Sequence, residues 1–131
     1  MNALQILREA RERLRKGWIT GTLRGVENGE LRCCALGALC DDTQWVVVED
    51  DYKVTSAEGA KAIAMLAAIV STWAPELAGA RPPTDTVFVF NDISGRADVL
   101  ALFDEAIRRL EAVEATVVAE VPAKTPELVL V

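Results

Sequence analysis

The sequence predicts a mainly α, compact single domain of about four helices with one or two short β pairings, on three observations. Apolar residues recur at three- and four-residue spacing over 3–16 and again from Arg96 to about Glu114. A capped run of small residues fills 56–74. Segments dense in β-branched residues are few and short. The alternative is an α+β fold in which 45–49, 86–90 and 116–121 form one sheet.

Helix one is expected over 3–16, with Leu4, Leu7, Ala10 and Leu14 on one side and Arg8, Arg11, Glu12, Arg15 and Lys16 on the other. Asn2 and Gln5 have capping-box spacing, and Gly17 supplies the stop. The basic face reads as a solvated surface, with a docking surface for an acidic partner as the second reading. Glycines 17, 21, 25 and 29 punctuate the next stretch, and Asn28-Gly29 is a turn signal, so a structured loop or short hairpin follows. Trp18 is expected to plug the core beneath helix one.

Leu31 to Asp42 holds all three cysteines on a run of small side chains, and the chain is organised around it. A short helix is expected over 32–40. Gly37 weakens that helix by about 1 kcal/mol relative to alanine, and serves close packing instead. Trp45-Val46-Val47-Val48 reads as a strand ended by Glu49-Asp50-Asp51. Thr55 and Glu58 have capping-box spacing for a central helix running to Ala74 and stopped by Pro75. Thr86 to Phe90 reads as a short buried strand, and Asn91-Asp92 as a turn packed near the cysteine segment and capping the next helix. That last helix aligns Val99, Phe103, Ala106, Ile107, Leu110 and Val113. A strand over 116–121 would complete a globular domain of residues 1–121. Pro122 and Pro126 then mark residues 122–131 as an extended apolar tail.

A chain of 131 residues with 51% apolar content is long enough to bury one core of its own. Twenty acidic against fourteen basic residues give a net charge of −6, which repels phosphate backbones and argues against nucleic-acid binding. The longest apolar run, Ala62 to Ala74, falls short of the roughly 20 residues of a membrane helix. Charge arrives at Arg8 before any apolar run, so no signal peptide is expected. Three cysteines, two adjacent, suit a reducing cytoplasm rather than a secreted disulfide framework.

The chain has no histidine, which removes Cys-His and Ser-His nucleophile activation and the usual fourth zinc ligand. Cys33, Cys34 and Cys40 read as buried, inert thiols. Asp41, Asp42, Glu49, Asp50 and Asp51 lack the alternation of a calcium loop and read as solvated charges. Neither glycine-rich phosphate motif is present. No cofactor and no catalytic residue is therefore expected.

Asn91 and Asp92 support two readings: satisfying backbone donors at a helix start, or holding an anion together with Arg96. On the second reading Trp18 and Arg32 complete the candidate ligand set.

Gly17-Trp18-x-x-Gly21, Cys33-x-x-x-Gly37-Ala38-Leu39 and Asn91-Asp92 ahead of a Val-Leu-x-Leu-Phe-Asp-x-Ala-Ile helix resemble a small uncharacterised family of actinobacteria and their phages. The likeness covers roughly residues 4 to 110, with Phe90 where the family often has Trp. It implies a compact, mostly helical, cytoplasmic protein and brings no activity or site residues. The expected function is a non-enzymatic protein-interaction module that binds a partner or itself through the apolar Leu128, Val129, Leu130 and Val131. The alternative is a protein that binds or sequesters a small anionic metabolite or nucleotide. An enzyme of unknown type is the third reading.

Overall fold

The computed structural model describes residues 2–39, 45–48, 51–54, 56–79 and 81–130, with side chains described outside 45–48, 51–54, 78 and 117–130. Six helices and two antiparallel hairpins occur among the described residues: α1 Ala3–Lys16, β1 Arg24–Glu27, β2 Glu30–Cys33, α2 Ala35–Leu39, β3 Trp45–Val48, β4 Asp51–Val54, α3 Ala57–Trp73, α4 Pro75–Ala78, α5 Pro83–Ile93 and α6 Arg96–Leu130. This is the mainly α reading. The two hairpins form separate two-stranded sheets, and 86–90 and 116–121 are helical.

α1 starts as its sequence dictates. The Asn2 side chain accepts from the Gln5 amide and the Gln5 side chain accepts from the Asn2 amide. Its apolar side, including Leu4, Ile6, Leu7, Ala10 and Leu14, is buried. Its basic side does not face solvent alone. Arg11 pairs with Asp104, and Arg8 lies 2.8 Å from Glu111, both on α6. Two of its cations thus meet acidic residues of another helix of the same chain.

The Asn28-Gly29 signal produces a two-residue hairpin loop. Both residues have positive φ, 52° and 78°, as a type I′ turn requires. Four residue pairs align, from Arg24 with Cys33 to Glu27 with Glu30. In the second hairpin Asp51 opens β4 opposite Val48 rather than ending a lone strand.

α3 is capped at Ser56, whose hydroxyl accepts from the Gly59 amide, one residue later than the Thr55 expectation. Glu58 turns away to accept from the Ala3 amide at 3.0 Å, tying the start of α3 to the start of α1. Thr55 itself lies outside the described residues, as do Cys40, Asp41, Asp42, Glu49 and Asp50. α3 packs against α1, α4, α5 and α6, so it is central, although Ala60, Ala64 and Ala68 remain exposed.

The expected strand 86–90 is instead the middle of α5. Pro83 opens this helix at a position where its missing N–H costs nothing. Thr86, Val87, Phe90 and Asn91 are buried, a helical spacing that a strand would split between two faces. The expected turn at Asn91-Asp92 is therefore the last turn of α5. α6 continues as helix through the expected strand and tail, to Leu130. Val99, Phe103, Ala106 and Leu110 are buried as predicted, Ile107 is half-buried, and Val113 is exposed. Among the described residues no helix is long and apolar enough to cross a membrane.

Candidate functional site

The motifs singled out in the sequence converge on the five-residue helix α2, all of whose residues are buried. A buried helix this short has almost no hydrogen-bond ladder of its own. Its terminal amides and carbonyls need partners from elsewhere.

Those partners come from three other elements and from Cys34, the residue just ahead of the helix. At the N-terminal end the Asn91 Oδ1 accepts from the Ala35 amide at 3.0 Å. The Cys34 Sγ accepts from the Gly37 amide at 3.3 Å, as a cap three residues earlier would. At the C-terminal end the Arg13 guanidinium donates to the Ala38 carbonyl at 2.7 Å, and Arg24 Nε donates to the Gly37 carbonyl at 3.1 Å. Two cations therefore sit where the helix end is negative.

Asn91 also holds the glycine-tryptophan loop. Its Oδ1 accepts a second bond from the Trp18 indole N–H at 2.8 Å, and its Nδ2 donates to the Ile19 carbonyl at 3.1 Å. Asp92 Oδ1 accepts from the Gly21 amide at 2.9 Å, at a positive-φ glycine. Backbone bonds Ile19 to Cys33 and Cys33 to Gly17 then pin the loop along the end of β2.

The approach is close enough to demand glycine. A Cβ on Gly37 would lie 1.8 Å from the Leu23 carbonyl oxygen, and one on Gly17 would lie 2.5 Å from that of Leu31. Gly37 does serve close packing, with the backbone ahead of β1 as its neighbour.

Trp18, Asn91 and Asp92 are brought together, as the segment around the cysteines and Asn91-Asp92 are. Two of the remaining candidates stand apart from that cluster. Arg32 lies on β2 with its Nε 3.2 Å from the Glu27 carboxylate, an ion pair lacking hydrogen-bond alignment. Arg96 is exposed at the start of α6, and no bond among the described residues joins it to Asn91 or Asp92. Leu128, Val129 and Leu130 lie on the helical backbone of α6, and Val131 lies outside the described residues.

Chemically, the Asn91 amide is saturated. An asparagine amide offers two acceptor and two donor positions. Here both acceptor positions are used, and Nδ2 has the Ile19 carbonyl and, at 3.4 Å, the Asp92 carboxylate. Cys33 and Cys34 are buried. A cleft lies elsewhere, where the starts of α1 and α3 meet α6, with Asn2, Glu58, Lys61, Leu110 and Val113 in its lining.

Arg13 and Arg24 were not anticipated as capping groups. Arg13 belongs to the basic last turn of α1, and its reach to α2 has no local signature. The helical spacing of Val87, Phe90 and Asn91 was the available signal for the position of the asparagine.

No curated protein and no solved structure matches the chain. A family of unknown function, DUF6197, matches residues 1–109, a span that includes α1, both hairpins, α2 and all of the Asn91 cluster, and the chain belongs to that family.

Proposed function

We propose that this chain is a non-enzymatic protein-interaction module, encoded by an actinobacterium or one of its phages and acting in the cytoplasm on a host component. The observation that carries the reading is the saturation of the Asn91 amide. The N–H donors of this cluster that could hold a small anion, on Trp18, Gly21, Ala35 and Asn91, are already given to oxygens of the chain itself. A ligand there would have to break bonds that fix the loop and α2 in place. Apolar side chains meanwhile stand exposed on separate elements: Val26 and Leu31 opposite each other on the first hairpin, Trp73 at the end of α3, and Ile93 at the end of α5. The apolar Leu128–Val131 end is the first candidate for the contact.

The test is recovery of the intact protein from its native cytoplasm, alongside a variant lacking Glu127–Val131. A protein partner or a self-associated form that the deletion removes supports the reading. A tightly held small molecule with no protein partner overturns it.

A further inference from the structure

We propose that Asn28 is a site of spontaneous deamidation in the folded protein, a covalent change that places a carboxylate on the tip of the first hairpin. The chain has three asparagines, at 2, 28 and 91, and the structure sets them in three different environments. Asn91 is fully buried, lies in a helix and has its amide bonded through both oxygen and nitrogen. Asn2 caps α1, its amide oxygen accepting from the Gln5 amide at 2.9 Å. Asn28 is exposed at the hairpin tip, and the residue after it is Gly29.

The reaction needs only solvent water. The Gly29 backbone nitrogen attacks Cγ of Asn28, forming a C–N bond and closing a five-membered succinimide. The side-chain nitrogen leaves as ammonia, carrying the proton lost from the Gly29 amide. Water then opens the ring at one of its two carbonyls. One opening yields aspartate at position 28, and the other yields isoaspartate, in which the main chain runs through the side-chain carbonyl.

Glycine after asparagine favours the first step, because no Cβ crowds the attacking nitrogen. Here the space beside Gly29 is open as well, with no atom outside Gly29 and its two chain neighbours within 4 Å of where a Cβ would stand. The strand pairing ends at Glu27 opposite Glu30, so the Gly29 amide lies outside the ladder. Either product sets a third carboxylate between Glu27 and Glu30. Isoaspartate also lengthens the two-residue loop by one backbone atom, so the turn no longer matches the register that sets Val26 opposite Leu31. The change stays remote from α2, because the Arg24–Cys33 end of the hairpin is held separately by Gly17, Ile19 and Gly37.

The experiment incubates the full chain under mildly alkaline, folded conditions and maps its tryptic peptides by mass spectrometry over time. Cleavage after Arg24 and Arg32 isolates Asn28 in one peptide, Gly25 to Arg32. The expected result is progressive loss of the Asn28 amide into two products of equal mass. One of them is methylated by an isoaspartyl methyltransferase, while the Asn2 and Asn91 peptides keep their amides. An N28D variant should show no mass change, and methylation only at the slower rate at which Asp-Gly closes to the succinimide by losing water. The free peptide of the same sequence serves as the reference. Conversion of the free peptide with none in the folded chain overturns the proposal, because the turn then protects Asn28. Equal conversion at Asn28 and Asn91 overturns it too, because the hairpin tip then has no special exposure.

Discussion

Truncating Asn91 to alanine would leave three groups unpaired at once: the Trp18 indole N–H, the Ala35 amide and the Ile19 carbonyl. A buried polar group left without a partner costs about 1–3 kcal/mol, and the half-buried Trp18 and Ile19 groups cost less than the buried Ala35 amide, so the N91A variant should lose roughly 2–4 kcal/mol by denaturant unfolding. Asn91→Asp keeps the acceptor and loses the donor to Ile19, while placing a charge in a buried site, so it should not rescue stability. Trp18→Phe keeps an aromatic ring and removes one donor; a loss of about 1–2 kcal/mol is expected, clearly smaller than that of N91A. Equal losses for the two variants would mean that the Trp18 bond, which both remove, accounts for the whole effect and that the Ala35 and Ile19 bonds add nothing. Gly37→Ala tests the close approach. Its Cβ would meet the Leu23 carbonyl at 1.8 Å, so the backbone ahead of β1 must move, and a loss of about 3 kcal/mol or no folded protein is expected.

At the scale of elements, what could be read from the sequence depended on whether the signal was local. The caps of α1, the Asn28-Gly29 turn and the stripe of α6 through Leu110 each rest on residues a few positions apart, and each was legible. Thr86 to Phe90 was not, because Thr-Val-Phe-Val-Phe has strand composition and its neighbours decide otherwise. Pro83 starts a helix, and burial of Val87 and Phe90 against α3 holds it in that form. The proximity of Asn91-Asp92 to the cysteine segment was legible as a pairing of motifs. That one amide would cap α2 and the tryptophan together was not, since the two acceptor bonds cross 73 and 56 residues. α6 also supplies a pH prediction. Hydrogen bonds from Arg108 and then Arg109 hold the Glu105 carboxyl down at about 2 from an ordinary 4.5. A depressed carboxylate contributes stability above its unfolded value and loses it as pH falls through its folded value. The Glu105 contribution should therefore be complete above about pH 4.5 and fade toward about pH 2. Thermal unfolding of the Glu105→Gln variant should show less loss across that window, and the increment is small because its partner Arg108 is exposed to solvent.

Over the whole molecule, two kinds of contact join α1 to α6, and they carry unequal weight. The ion pairs Arg8–Glu111 and Arg11–Asp104 lie at the surface, where such pairs contribute roughly 0–1 kcal/mol. Both helices also feed one apolar core, α1 through the buried Leu4, Leu7 and Leu14 and α6 through the buried Phe103, Ala106 and Leu110. Phe103→Ala should cost about 3–5 kcal/mol, while a double-mutant cycle on Arg11 and Asp104 should return a coupling of under about 1 kcal/mol. The same division places the end of the body along α6. Its buried side chains are Val99, Leu102, Phe103, Ala106 and Leu110, and every residue from Glu111 to Thr116 is exposed. A chain ending at Thr116 retains each of those buried groups, the Glu111 pair and the whole Asn91 cluster. It should fold with helices α1 to α5 intact and melt within a few degrees of the full chain, since 1 kcal/mol moves the midpoint of a domain of this size by about 3–6 °C. On the interaction reading the same truncation abolishes association, so stability and binding separate in one variant. A large fall in the melting midpoint would show instead that residues beyond 116 pack on the body and belong to its core.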